Sequence, residues 1–492
     1  MTSAETNAAI HETHVGVVIL LGDRAYKIKK PVRTGFLDFS TPQRRRAALL
    51  RELELNRRLA PDVYLGLCQV SDPVDQHLPG ETMLVMRRMP AERRLSTLAR
   101  AGATLDRPLR RLARLMAAFH AGADRGDRIA GHGSRDAVLR RWEDNIDQTR
   151  RFRGTVLDEH LFDETVQRAR GYLAGRGPLF VDRIARCRVV DGHGDLIADD
   201  VFCLDDGPRV LDCLEFDDAL RYLDALDDVA FLAMDLERLE RPDLAERFRR
   251  DYLEFSADSA APSLWHHYVA YRAFVRVKVA CLRHEQGGTD AAAEAVRHLQ
   301  LCAAHLRAGT VRMALVGGLP GTGKTTLAGE LADRVGAVLL SSDRIRKELA
   351  GMDPTTSAAA DFGAGLYRPG CTDSVYHELL HRAGALLARG ESVVLDASWT
   401  ARSHREAAAD LAGRAHTELV ELECRTSAAL AAQRISTRTG TPSDATVQIA
   451  ERMSAAADPW PTATPIPTSG PPSESVSSAL ATWDAPDSGT HP

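Results

Sequence analysis

The sequence predicts an α/β protein of two domains, and three observations carry that expectation. The chain has 492 residues, 44% of them apolar, which is enough for more than one core. Its C-terminal part holds continuous apolar runs, residues 313–316 and 392–395, separated by helical periodicity, the pattern of buried parallel strands. A glycine-rich stretch sits between the first of those runs and a helix.

That stretch is Gly318-Leu319-Pro320-Gly321-Thr322-Gly323-Lys324-Thr325, followed by Thr326 at the head of the helix. It fits G-x-x-x-x-G-K-[ST], the P-loop, in the strand–loop–helix setting that gives the motif meaning. The glycines let several backbone N–H groups converge on one anion, and the helix N-terminus adds partial positive charge. Lys324 is placed to reach the β- and γ-phosphates of ATP, and the Thr325 hydroxyl to bind Mg²⁺.

Composition narrows the function classes. The net charge of −5 disfavours a generic nucleic-acid or membrane-surface binder, while leaving room for a local basic patch. Eight cysteines are scattered without a C-x-x-C pair, so neither a disulfide framework nor a zinc knuckle is indicated. That suits a reducing, cytoplasmic setting. Residues 15–21 are too few to cross a bilayer and read as a strand; no targeting segment or internal repeat is evident.

In chain order, residues 14–21 and 24–30 read as a hairpin turning at Gly22-Asp23. Lys27 and Lys29 share one strand face, and a solvated face is the plain explanation. A helix over 41–59 carries Glu52, with Ser40 or Thr41 as cap and Pro42 in the first turn. Residues 83–86 read as another strand, followed by a connector. Residues 95–173 are helical in pattern. Then come Val189-Val190-Asp191-Gly192-His193-Gly194-Asp195-Leu196 and two short strands, the second ending in Asp212. Phosphoryl transfer needs one carboxylate to orient an acceptor hydroxyl and others to hold Mg²⁺, needs that Asp195 and Asp212 can meet.

His193-Gly194-Asp195-Leu196, with Leu211-Asp212-Cys213-Leu214-Glu215-Phe216-Asp217-Asp218, resembles the aminoglycoside phosphotransferase-like kinase family. Asp228-Val229-Ala230 is similar to its later Asp-Leu-Ala element. Ala25-Tyr26-Lys27-Ile28-Lys29-Lys30-Pro31 and Leu55-Asn56-Arg57-Arg58-Leu59-Ala60-Pro61 resemble a bacterial subgroup of it. Over residues 12–285 the resemblance implies a bilobal, protein-kinase-like fold. It implies Lys27, with Lys29 the competing choice, as the phosphate contact, and Glu52 as its partner. It further implies Asp195 as catalytic base, Asp212 as a metal ligand and Asp228 as a brace of the catalytic loop. Two positions depart: the family has Asn five residues after the base, as a metal ligand, and this chain has Asp200; the subgroup has His after the Leu, and this chain has Ile197. A carboxylate also ligates Mg²⁺, but Asp199-Asp200 adds negative charge where ATP must enter. Weakened activity, a changed substrate and a catalytically silent lobe all stay open.

A helix break at Gln286-Gly287-Gly288 and a boundary near Gly309-Thr310 precede the P-loop half. Asp343 follows a strand over 337–340, where ligands bind in α/β sheets, and Arg346 lies one turn on. An N-cap aspartate is the plain alternative. The strand over 392–395 ends in Asp396, which is placed near Mg²⁺ or its water. Arg434 and Arg438 share a helix face, either as a lid over the nucleotide phosphates or as a solvated basic face. Together these resemble small P-loop kinases of the gluconate kinase, polynucleotide 5′-kinase and chloramphenicol phosphotransferase groups over 311–482. That resemblance implies Asp343 as the acceptor-activating base and Arg346 as a substrate contact. The order of the halves resembles a bacterial protein type that fuses the two kinases. His377-Glu378-Leu379-Leu380-His381 fits the zinc motif H-E-x-x-H, but it lies where a crossover helix is needed.

The expected domains are therefore 1–308 (small lobe to about 90, large lobe from 91), 309–482, and a disordered tail over 483–492, with a short helix before it over 473–480. The expected activity is ATP- and Mg²⁺-dependent phosphorylation of a hydroxyl on a small molecule, with residues around 362–367 helping to choose the acceptor. A polynucleotide or nucleoside kinase is one alternative. A nucleotide-responsive regulator with a pseudokinase first half is the other. The sequence leaves the oligomeric state open.

Overall fold

The computed structural model describes residues 8–12, 15–33, 38–71, 80–353, 368–437 and 446–485. The chain divides into two compact units: 1–165 with 180–260 and 265–305, and 166–179 with 261–264 and 306–492. Residues 166–179 and 261–264, placed by the sequence in the first domain, thus cluster with the second unit.

The first unit opens on an antiparallel sheet of β1 (Ala9–Glu12), β2 (Gly16–Leu21), β3 (Arg24–Lys29), β4 (Tyr64–Val70) and β5 (Glu81–Arg87), ordered β1-β2-β3-β5-β4. The β2–β3 hairpin is the expected one and turns at Gly22, whose φ of 56° favours glycine. The helix Pro42–Asn56 starts as its cap predicts, with Thr41 Oγ1 accepting the Arg44 N–H. Leu49 and Leu53 on that helix pack with Ala25, Tyr64, Leu84 and Met86 from the sheet. Sequence reading missed β1 and β4, because β4 is half-buried and its alternation is shallow.

The rest of the unit is mainly helical, with β6 (Val189–Asp191) pairing β9 (Tyr222–Asp224) and β7 (Val201–Cys203) pairing β8 (Pro208–Val210). β8 stops at Val210, two residues short of the expected end, since Asp212 has left-handed backbone, φ 60°. A left-handed non-glycine residue is costly and cannot continue a ladder.

The second unit is a parallel sheet: β10 (Arg312–Gly317), β11 (Val338–Ser341), β12 (Val393–Asp396), β13 (Glu418–Arg425) and β14 (Thr464–Pro467), ordered β11-β12-β10-β13-β14. Its strands are joined by crossover helices, including Lys324–Val335, Pro369–Leu387 and Arg402–Arg414. The H-E-x-x-H stretch lies within Pro369–Leu387, and Glu378 there accepts the Arg382 Nε–H at 2.6 Å. The expected tail is corrected at its start: Trp483 lies in a helix, Pro472–Asp484, and is buried with Val476, Leu331 and Ile466. The Pro/Ser/Thr-rich composition hid both that helix's length and the edge strand β14, whose prolines suit an edge.

Candidate active sites

In the P-loop unit, the loop leaves β10 and turns into Lys324–Val335 through Gly318, Gly321 and Gly323, all at positive φ. A Cβ at Gly321 would lie 2.4 Å from the Ala431 carbonyl oxygen, so only glycine fits there. Thr322 closes the turn, its N–H and hydroxyl both donating to the Leu319 carbonyl, and Pro320 is buried behind it. Lys324, Thr325 and Thr326 line a cavity of about 420 Å³ with Ser341, Asp343, Arg434, Thr468 and Ser475.

β-pairing explains why Asp396 joins this cluster. In register it sits opposite Val316 on one side and Ser341 on the other, at the C-terminal ends of the three strands. The carboxylate is 3% exposed, and its Oδ1 has no hydrogen-bond partner among the described residues. Burial pushes its pKa up, against the pull of Lys324 and of hydrogen bonds from Thr325 and Ser341. An orphaned buried oxygen beside a P-loop hydroxyl fits a site for Mg²⁺ or its bound water, with Thr325 and Asp396 as the residues that would hold it.

Asp343 lies in the first turn of the helix Ser342–Leu349, whose cap position belongs to Ser341, so the N-cap alternative is set aside. It lines the cavity, 4.0 Å from the buried Arg346. Arg434 is half-buried rather than on a solvated face: it lines the cavity and donates to the Thr468 carbonyl at 2.7 Å. Arg438 and residues 362–367 lie outside the described residues. Sequence reading missed Thr468, whose hydroxyl donates to the Thr322 carbonyl at 2.6 Å, and Ser475, which falls in the short helix expected over 473–480 but was given no role there. It also missed Tyr376, whose phenol oxygen accepts the Trp399 N–H and lies 3.1 Å from Ser398 Oγ, fixing the turn after Asp396.

In the first unit, both lysines of β3 reach Glu52, which is fully buried. Lys27 Nζ lies 2.7 Å from Oε1 and Lys29 Nζ lies 2.8 Å from Oε2, the latter as an ion pair without hydrogen-bond geometry. Lys27 also binds Asp212 at 2.9 Å, and Lys29 binds Glu215 at 2.5 Å. Lys27 is therefore the lysine beside the candidate metal ligand, and Lys29 is the more deeply buried of the two. The Asp212 backbone is held by Tyr64, whose phenol accepts its N–H, and Asn56 accepts the Cys213 N–H.

Asp228 braces the loop before Asp195. Its buried carboxylate accepts the N–H groups of His193 and Gly194 at 2.7 and 2.9 Å and meets His120 Nε2 at 3.0 Å. These bonds hold its pKa low despite burial. His193 in turn donates from Nε2 to the Leu211 carbonyl, tying the loop to the Asp212 segment. Burial raises the Asp195 pKa to about 6 against the pull of Arg276, and Asp212 adds to the rise. Burial also raises Asp200, with Asp212 and Asp195 as charged neighbours, whereas Lys27 holds Asp212 low. Asp195 and Asp200 are thus shifted toward the neutral form, and Asp200 and Asp212 are the pair that would hold a cation here; among the described residues no group of three or more such side chains is placed to do so.

A lobed unit with a Lys–Glu pair over an aspartate loop, followed by a P-loop unit, defines a two-domain fusion of kinase-type folds. The AAA domain family model matches residues 313–460. A Mycobacterium tuberculosis (strain H37Rv) protein named "Uncharacterized protein Rv2004c" is 44% identical over 481 residues, covering 96% of this chain and 95% of its own. A Mycobacterium bovis protein, "Uncharacterized protein Mb2027c", matches to the same extent, 44% over 481 residues. The chain belongs to the family of these proteins. Among solved structures, a choline/ethanolamine kinase family protein from Mesorhizobium loti is 14% identical with a TM-score of 0.40, covering 62% of this chain and 89% of its own. A sugar kinase from Janibacter sp. HTCC2649 is 22% identical with a TM-score of 0.28, covering 37% of this chain and 99% of its own. Among the described residues no helix is long and apolar enough to cross a membrane.

Proposed function

We propose that this protein is a cytoplasmic ATP-dependent phosphotransferase acting on a hydroxyl of a small molecule, with the P-loop site as its principal catalyst. One observation carries the reading: the buried, unpartnered Oδ1 of Asp396 stands beside Lys324 and Thr325, which line a cavity together with Asp343. A switch that only binds nucleotide needs the loop and the cation; a second carboxylate lining the cavity, available to an acceptor, is the addition that transfer requires.

In this reading the backbone N–H groups of 318–325 and Lys324 hold the phosphates, and Arg434 covers them. Mg²⁺, when bound by Thr325 and Asp396, neutralises charge on the β- and γ-oxygens. Asp343 accepts the acceptor's proton, and Arg346 fixes Asp343 and the acceptor. In the first unit, Lys27 and Glu52 position phosphate, Asp195 is the base, and Asp200 and Asp212 hold the cation. The test is transfer of labelled γ-phosphate to a metabolite panel by wild type, Lys324→Ala and Asp195→Ala. Loss of most transfer in Lys324→Ala supports the reading; unchanged transfer in both variants overturns the site assignments.

A second reading, a nucleotide-responsive regulator with a silent first unit, is favoured by the Lys27–Asp212 ion pair, which occupies a candidate metal ligand, and by Asp200. Nucleotide binding without phosphorylation of any acceptor would support it. A polynucleotide or nucleoside kinase would instead label oligonucleotide 5′ ends or nucleosides in the same panel.

A further inference from the structure

We propose that Arg276 makes the Asp195 site a receptor for anionic acceptors: a hydroxyl of the substrate meets Asp195 while a phosphate or carboxylate on the same molecule meets the Arg276 guanidinium. This rests on reading that site as a phosphotransferase.

Arg272 and Arg276 are one turn apart on the helix Pro262–Glu285 and so share a face. Arg272 is fully engaged. Its Nε lies 2.7 Å from Asp227 Oδ1, it donates to the Gly194 carbonyl at 3.3 Å, and its guanidinium lies 4.9 Å over the Phe231 ring. The Gly194 contact sets this helix face against the loop that carries Asp195. Arg276, on the same face, has no hydrogen-bond or ion-pair partner among the described residues and is half-buried. Its charge acts on Asp195 and on His298. His298 is itself buried, with neither ring nitrogen hydrogen-bonded among the described residues. The carboxylate nearest to it, Glu294, is 3.8 Å away and paired with Arg283.

A guanidinium without a hydrogen-bond partner, on the helix face set against the loop of a candidate base, is therefore what the first unit offers an acceptor. A half-buried guanidinium without a counter-ion is costly, and the cost is recovered when a ligand anion binds in its fork. A cationic acceptor would meet a like charge at the same place. Of the carboxylates that act on Asp195, Asp212 is paired with Lys27.

The test uses the full chain carrying Lys324→Ala, so that the P-loop half is silent, with Mg-ATP and four probes: glucose 6-phosphate, gluconate, glucose and glucosamine. Either anionic probe is expected to exceed glucose in kcat/KM by at least about tenfold, as a charge-assisted bond allows. The two anions separate phosphate from carboxylate recognition. Arg276→Gln should erase the preference and Arg276→Lys keep part of it. A preference that survives Arg276→Gln, or selection of glucosamine, overturns the proposal. Transfer that survives Asp195→Ala overturns the phosphotransferase reading instead. Should none of the four be phosphorylated, inorganic phosphate is titrated calorimetrically into the Lys324→Ala protein saturated with Mg-AMP-PNP. Binding at least about tenfold weaker in Arg276→Gln supports the receptor, and equal binding rejects it.

Discussion

Lys27 and Asp212 form a 2.9 Å ion pair, and the same lysine nitrogen lies 2.7 Å from Glu52. Lys27 thus holds Asp212 ionised, its pKa below the usual carboxylate value. Removing the lysine lets that pKa rise, so protons compete with metal at a higher pH than before. Lys27→Ala is expected to make Mg²⁺ binding at the first site fall more steeply from pH 7.5 to pH 5.5 than it does in wild type, where the raised Asp200 already gives some loss. Metal titrations in the Lys324→Ala background check this.

Asp195 has a second pH signature. Its carboxyl is raised to about 6, mainly by burial, so its charged form is disfavoured in the fold. A base must be ionised, so kcat/KM of the first site should fall as pH drops through about 6. The stability effect has the opposite sign. With the folded pKa above the unfolded one, the ionised group opposes folding above pH 6, and that cost disappears below about pH 4. Asp195→Asn is therefore expected to raise the melting temperature at pH 8 and leave it nearly unchanged at pH 4.

Asp228 is fully buried and accepts two backbone N–H groups together with His120. Truncation to alanine orphans all three donors. The expected loss is about 3–5 kcal/mol of stability for the first unit, in line with breaking a buried charged network. Urea unfolding followed by Trp142 and Trp265 fluorescence reads it.

Trp483 belongs to the core of the P-loop unit. A chain ending at 485 should melt like the full chain. Trp483→Ala should lose about 3–5 kcal/mol, the range for large-to-small core changes. Differential scanning calorimetry separates the two outcomes.

How much of this was legible follows from how local each signal is. The P-loop, Asp343 and Asp396 stand at or beside the ends of strong apolar strands, so their positions could be read from contiguous residues. The Lys27–Lys29 choice could not, because strand alternation puts both on one face and only the fold shows them dividing the two oxygens of Glu52. Asp212 read as a strand end because backbone handedness leaves no mark in composition; its left-handed turn depends on Tyr64 and Asn56, far away in sequence. Thr468 and Ser475 carry no motif and lie far in sequence from the P-loop, so only the fold brings them to the cavity. Arg276 carried no motif, and its standing comes from what Arg272 binds one turn earlier.

The central claim, that the P-loop site transfers phosphate and does not merely bind it, is tested most directly by Asp343→Asn. That substitution leaves the loop, Lys324, Thr325 and Asp396 intact. The predicted result is ATP affinity within about twofold of wild type with γ-phosphate transfer to acceptor reduced by on the order of 10²-fold or more, the usual contribution of a general base. Undiminished transfer in Asp343→Asn, with nucleotide binding intact, would contradict the account.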